Sequence, residues 1–483
     1  MIDLDEVRLE PAAAMSIPST LAMRRLALPL CRIGGVMHVA MADPSDAQTV
    51  TAIARETGLK VEVHAAARRQ LMEALSKVYG DSARRVHAVG QEPQDDAVST
   101  VERIMSAAYM RRASDIHFDP CVDGLKVRFR VDGELEDVMK LPESLKGPVT
   151  GRLKVMSSLD IAERRSPQDG AFRWRTPQGY ARQTVDVRMA TLPVKHGERM
   201  TLRLLESGAT RLTLDSLGLD PKDRGAFGDV LASPYGLVLL TGPTGSGKTT
   251  TLYAAIRELL AMRPMNILTV EDPIEYEIEG VSQAEVDSGD KVNFSKALRS
   301  LLRHDPDVIM IGEIRDTESM DTAVKAALTG HLVLSTLHTN DAVGAVVRLA
   351  DMGLKPHLAG AVIRLAAAQR LVRSLCPHCR EISAPTEAER AVLPLSAGDS
   401  IARPRGCLKC AGRGYVGRTG VFELFRPDAA ISQAISSGAS RETLLEMGFE
   451  RGFRTLAQDA ARKCRAFETS PAEAARIVGA AGL

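Results

Sequence analysis

The sequence predicts a multidomain α/β protein whose largest part is a mostly parallel sheet carrying a phosphate-binding loop. Three observations lead there. At 483 residues the chain is too long for a single compact core. From Tyr235 to Leu337, near-continuous apolar strands ("YGLVLLTG", "NILTV", "DVIMIG", "HLVLSTL") alternate with helical stretches, the pattern of strands buried on both faces. The first of these strands runs into "GPTGSGKTTTLYAA", where Gly242 and Gly247 stand four residues apart and precede Lys248 and Thr249.

The other elements follow in chain order. Residues 1–80 mix short apolar runs with helical patterns and read as a small α/β domain, a candidate partner-docking unit. Asp46 is placed to cap its first helix and Gly58 to end it. Residues 81–97, polar and without periodicity, read as a linker. Residues 98–208 open with an amphipathic helix and continue with alternating strands around Asp132-Gly133, a favoured two-residue hairpin turn, so this domain should hold an antiparallel sheet. Residues 209–225 read as a connector, at the start of a nucleotide-binding core that extends over 209–375. A cysteine-bearing insert over 376–412 and a helical C-terminal subdomain over 413–483 complete the chain, and no internal repeat is seen.

Composition narrows the function classes. The 62 basic residues nearly balance the 61 acidic ones. Bulk electrostatics therefore offers no hold on a polyanion, no aromatic-basic stripe is present, and a nucleic-acid partner is not expected. The N-terminus "MIDLDEVRLEP" lacks a secretory pattern, and no apolar run reaches the roughly eighteen residues of a membrane span. A cytoplasmic protein with only indirect membrane contact is expected.

The loop residues Gly242, Pro243, Thr244, Gly245, Ser246, Gly247, Lys248, Thr249 and Thr250 carry the most specific chemistry. Inward-turned backbone N–H groups cradle phosphates and require glycine conformations. Lys248 should reach the β and γ phosphates, and the Thr249 hydroxyl should ligate Mg²⁺. In "RHDPDVIMIGEIRD" a strand ends at Glu313, a carboxylate suited to Mg²⁺ or its waters, although Asp is the usual residue there. In "ILTVEDPIEY" another strand ends in Glu271, Asp272 and Glu275, any of which could prepare water for attack; residue type alone does not choose. His338 closes the strand that His331 opens, and both are candidates for phosphate contact.

Four of the seven cysteines, Cys376, Cys379, Cys407 and Cys410, form two C-x-x-C pairs. That spacing presents four thiolates to a structural Zn²⁺, and reduced buried thiols are the alternative. In the hairpin, Arg128 and Arg130 share the face opposite Val127, Phe129 and Val131, and Arg188 and Arg203 likewise lie opposite apolar neighbours. A solvated sheet face is the simpler reading. A set of guanidinium donors to nucleotide phosphates is the sharper one.

Taken in order, "GPTGSGKTTTLYA", "TVEDPIEY", "RHDPDVIMIGEIRD", "ALTGHLVLSTLHTNDA", "AQRLVRSLCPHC" and "GCLKCAGRGYVGRTGVFE" resemble the ATPases of type II secretion and type IV pilus assembly over about residues 98–483. The resemblance implies a RecA-like core preceded by a PAS-like domain that donates arginines, with ATP, Mg²⁺ and structural Zn²⁺ as cofactors. It implies that Glu275 prepares water, that Glu313 stands at the Mg²⁺, and that His331 and His338 are the box histidines. It further implies a homohexamer, peripheral at the inner membrane. Its partners would be a membrane platform protein and the cytoplasmic domain of an inner-membrane assembly protein. The tetracysteine insert and N-terminal domain resemble assembly rather than retraction motors, with the type II secretion form the nearer. A cyclic-di-GMP-binding repeat like that of some pilus relatives is not seen, so that ligand is not expected. Type IV pilus extension or DNA uptake, a nucleotide-gated scaffold with weak hydrolysis, and a nucleic-acid motor remain as alternatives.

Overall fold

The computed structural model describes residues 1–79, 96–176, 184–205, 212–286 and 294–479, so most of the expected linker lies outside the described residues. The chain forms two compact units. One comprises Met1–Ser207, Cys376–Glu381 and Pro404–Val416, the other Gly208–Leu375, Ile382–Arg403 and Gly417–Leu483.

The first unit contains two sheets. In the smaller, β1 (Ala27–Ile33) pairs antiparallel with β2 (Val36–Met41), and β3 (Lys60–Ala65) adds parallel to β2. The parallel crossover is the helix Ala47–Thr57. Its first turn is satisfied by Asp46, which accepts from Thr49 N at 3.1 Å, and it stops at Gly58 with φ +67°. The larger sheet contains β4 (Ala113–Cys121), β5 (Gly124–Val131), β6 (Glu134–Pro142), β7 (Gln168–Arg175), β8 (Thr184–Val194) and β9 (Gly197–Leu205). These strands run antiparallel in the order β6-β5-β4-β9-β8-β7. Asp132 at φ +51° and Gly133 at φ +91° make the primed turn that matches strand twist, as expected for this dipeptide. Helices Ala97–Met110 and Glu143–Met156 help build this domain's core with Ile116, Phe118, Val127, Phe129, Val187 and Leu202, leaving the other sheet face polar.

The cysteine-bearing segments pack within this first unit. Gly412 lies so close to β1 that a Cβ there would sit 2.5 Å from the Arg32 carbonyl oxygen. Arg413 pairs with Asp132 and Glu136, each at 3.4 Å, and Glu136 also meets Arg111 at 3.1 Å.

The second unit is built on seven strands: β10 (Gly236–Thr241), β11 (Ile267–Glu271), β12 (Val281–Glu285), β13 (Val308–Ile311), β14 (Leu332–Leu337), β15 (Ile363–Leu375) and, past the small β16 (Glu381–Ser383) and β17 (Ile401–Arg403) pair, β18 (Tyr415–Phe425). Their order is β12-β11-β13-β14-β10-β15-β18, and the pairs from β12 through β15 are all parallel. Four short helices, Ala429–Ser436, Arg441–Glu450, Leu456–Arg465 and Pro471–Gly479, follow β18, so the stretch 413–483, expected to be helical, opens instead with a strand that the main sheet recruits beside β15.

One further element differs from the sequence expectation. The connector at 209–225 gives way to a helix, Pro221–Leu231, whose cap Asp220 accepts from Lys222 N at 2.9 Å and whose first residue is proline. β15, "IRLAAAQRLVRSL", is rich in helix-favouring Ala, Leu and Arg, yet pairing with β10 and burial on both faces hold it extended. Among the described residues no helix is long and apolar enough to cross a membrane.

Candidate active site

The phosphate loop leaves the carboxyl end of β10 and enters the helix Lys248–Met262, whose first backbone N–H groups have no intrahelical partner. Gly242, Gly245 and Gly247 take φ of +147°, +78° and +88°, conformations in which side chains are strained. A Cβ on Gly242 would stand 2.5 Å from the Gln369 carbonyl oxygen, and one on Gly247 2.8 Å from Gln369 Nε2. Inside the cradle the buried Ser246 hydroxyl has no hydrogen-bond partner. Lys248 Nζ donates to the carbonyl oxygens of Gly242 at 2.7 Å and Pro243 at 3.1 Å. Burial, with Arg370 nearby, lowers its ammonium to about 8. Glycines that admit no side chain, an orphaned hydroxyl, a lysine and a helix start together fit a polyphosphate. Thr249 and Thr250, half-buried on the first turn, follow directly.

β14 lies between β10 and β13, so the residues ending β14 stand between the loop and Glu313. His338 Nε2 is 3.1 Å from Glu313 Oε2, and Glu313 also pairs with Arg315, which reaches Asp272 at 3.2 Å. Burial and the cations Lys248 and Arg315 push the His338 imidazole below its ordinary value. His331 is not brought to this edge. It sits at the amino end of β14, about 20 Å of strand away, with Nδ1 2.9 Å from the Ala326 carbonyl oxygen.

The three carboxylates after β11 separate by environment. Glu271 is buried and saturated: it pairs with the Tyr253 hydroxyl and accepts from Thr269 Oγ1 at 2.7 Å and Gln283 Nε2 at 3.0 Å. Asp272 is exposed and tied to Arg315. Glu275 is half-buried, and its backbone N–H donates to Tyr253 Oη at 3.3 Å.

Two residues that sequence reasoning missed lie on β15. Gln369 accepts from Thr251 Oγ1 at 2.8 Å, and Arg370 donates to the Asn340 carbonyl oxygen at 2.9 Å. The "AQRL" signal was present, but nothing local places it beside a loop more than a hundred residues away.

The hairpin arginines form a row. Arg130 and Arg203 both oppose Asp115, and Arg188 opposes Arg203, so three guanidinium groups share one line across four strands. Arg203 Nε donates to Asp115 at 3.1 Å, and Arg128 Nε donates to Asp119 at 2.7 Å. In the cysteine segments, Cys376 and Cys407 Sγ are 3.9 Å apart, and Cys410 Sγ is 3.8 Å from both Cys379 and Cys407. Backbone N–H groups of Gly406 and Gly414 donate to the Cys379 and Cys410 sulfurs at 3.3 and 3.2 Å.

A parallel sheet in this order, with a phosphate loop, strand-end carboxylates and a histidine on one edge, defines a P-loop nucleoside triphosphatase with a RecA-like core. Residues 91–476 match the family described as Type II/IV secretion system protein, and residues 1–85 match the MshEN domain. The chain belongs to the type II/IV secretion family and is an ATP hydrolase of that family, working on nucleotide with Mg²⁺. It is 44% identical over 389 residues to type II secretion system protein E of Klebsiella pneumoniae, covering 80% of this chain and 77% of that one. It is 38% identical over 489 residues to the type IV pilus assembly ATPase PilB of Myxococcus xanthus, covering 96% and 86%. Among solved structures, the pilus retraction motor PilT with bound ADP aligns at TM-score 0.56 and 26% identity, over 78% of this chain and 96% of that one. The Legionella pneumophila ATPase DotB, at TM-score 0.59 and 23% identity over 81% and 98%, shares the fold.

Proposed function

We propose that this ATPase is the motor of type II secretion, a cytoplasmic homohexamer peripheral to the inner membrane that couples ATP hydrolysis to pseudopilus assembly and thereby to protein export. The observation that carries the reading is the single edge on which the loop, His338, Glu313 and the Glu275 turn meet. The loop amides and Lys248 bind the phosphates. Glu275, the half-buried carboxylate without the saturating contacts of Glu271, orients water and takes its proton. His338 holds Glu313 and would contact the terminal phosphate. Mg²⁺ would be held by Thr249 and, through water, Glu313, and when bound it supplies charge neutralisation across the phosphates.

The arginine row supports a further part of the reading. Arg128, Arg130, Arg188 and Arg203 would meet nucleotide from the polar sheet face, in the same chain or a neighbour; Arg128 is held by Asp119, and Arg130 and Arg203 by Asp115. Thiolates around Zn²⁺ at about 2.3 Å would stand about 3.8 Å apart, close to the sulfur spacings of 3.8 and 3.9 Å here, so the four cysteines suit a structural zinc. The partners would be a membrane platform protein and the cytoplasmic domain of an inner-membrane assembly protein.

Type IV pilus extension is a second reading, favoured by one observation: the match to PilB spans 96% of this chain, against 80% for protein E of Klebsiella pneumoniae. Glu275→Gln tests the motor itself. The variant should bind ATP normally while turnover drops roughly 10²- to 10⁴-fold. In the producing cell, loss of exported enzymes with surface pili intact identifies secretion, and the reverse identifies the pilus. Full export and piliation with the variant would sink both.

A further inference from the structure

The small N-terminal sheet holds a cluster that the nucleotide chemistry does not use. His38 on β2 is opposite Glu62 on β3, and His64 follows two residues later on the same face of the parallel pair. The two imidazoles stack with centroids 5.2 Å apart and planes 15° from parallel, and His38 Nδ1 lies 2.9 Å from His64 Nε2. A Glu62 carboxylate oxygen stands 3.8 Å from the first nitrogen and 3.7 Å from the second.

Two ring nitrogens so close must have something between them: a single shared proton or a cation that both lone pairs coordinate. Adjacent ligands at about 2.0–2.1 Å from a transition metal are about 2.9–3.4 Å apart, so the nitrogen spacing already suits coordination and the carboxylate needs only a small rotamer shift. The cluster is also reachable. The His38 and His64 side chains are 11% and 19% exposed, whereas Glu62 is 58% exposed and opens the site to solvent on edge strand β3.

We propose that His38, Glu62 and His64 bind a divalent transition cation of the Zn²⁺, Ni²⁺ or Cu²⁺ type, through two imidazole nitrogens and one carboxylate oxygen, with water completing the shell. Imidazole donors select this class over Mg²⁺ and Ca²⁺, which take oxygen ligands. Binding ties β3 to β2, so the cation would stabilise this sheet independently of nucleotide.

The test is Co²⁺ titration of the full chain, with elemental analysis for zinc. Wild type should bind one equivalent whose absorption shows no thiolate-to-cobalt charge transfer, separate from any cobalt in the cysteine cluster. Glu62→Gln, at an exposed position, should keep the thermal melt of the metal-free chain and weaken that equivalent at least about tenfold. His64→Gln should abolish it. Cobalt binding only with thiolate charge transfer, or affinity unchanged in Glu62→Gln, overturns the proposal.

Discussion

His338 Nε2 lies 3.1 Å from Glu313 Oε2, which joins the end of β14 to the end of β13 beside the phosphate loop. His338→Ala should leave ATP affinity within a few fold but cut kcat by about 10²-fold, the usual cost of one positioned polar group at a reacting centre. Nucleotide-binding and steady-state turnover measurements on the same preparation separate the two effects. A proportional loss of affinity would move His338 from chemistry to binding.

Lys248 carries a pH dependence. Its ammonium is lowered to about 8 in the free protein, and bound phosphate favours the charged form. Binding above pH 8 therefore takes up a proton, and ATP affinity should be flat below that value and fall up to about tenfold per unit above it. Isothermal titration in buffers of different ionisation enthalpy reads the proton uptake directly.

Tyr253 links buried Glu271 to the backbone of Glu275. Tyr253→Phe should lower kcat about tenfold with little change in ATP affinity, because it frees the turn without touching the phosphate loop. Glu271→Gln should instead appear mainly as lost stability, on the order of 1–3 kcal/mol in denaturant unfolding, since Glu271 accepts from buried donors.

Cys376→Ser should destabilise the first unit, where the cysteine segments pack against β1 and Arg413 meets Asp132 and Glu136. Removing the metal held by the four cysteines should do the same, that cluster releasing one zinc per chain. Calorimetry checks both, and ATP binding serves as the control that should change little.

Lys154 is fully buried and pairs with Glu198, itself nearly buried. Glu198→Ala would strand an ammonium inside the larger antiparallel domain and cost about 3–5 kcal/mol. Glu198→Ala combined with Lys154→Met should recover most of that loss in chemical denaturation.

Much of this was legible in the residues. The Asp46 and Gly58 caps and the Asp132-Gly133 turn depend on contacts within a few positions, and each recurs in the structure; the two C-x-x-C spacings are equally local, although the cluster they form joins residues 31 apart. β15 was not legible, because its composition favours helix and only pairing with β10 holds it extended.

By itself the sequence determined the phosphate chemistry, since glycine spacing, a preceding strand and a helix start are local and steric constraints act on adjacent residues. Tertiary structure decided the rest. Strand order brought His338 to Glu313 and left His331 at the far end of β14. Burial saturated Glu271 and left Glu275 half-buried, and cross-strand register drew Arg130, Arg188 and Arg203 into one row. Those outcomes follow from which surfaces pack together across long stretches of chain, and no short window of residues encodes that.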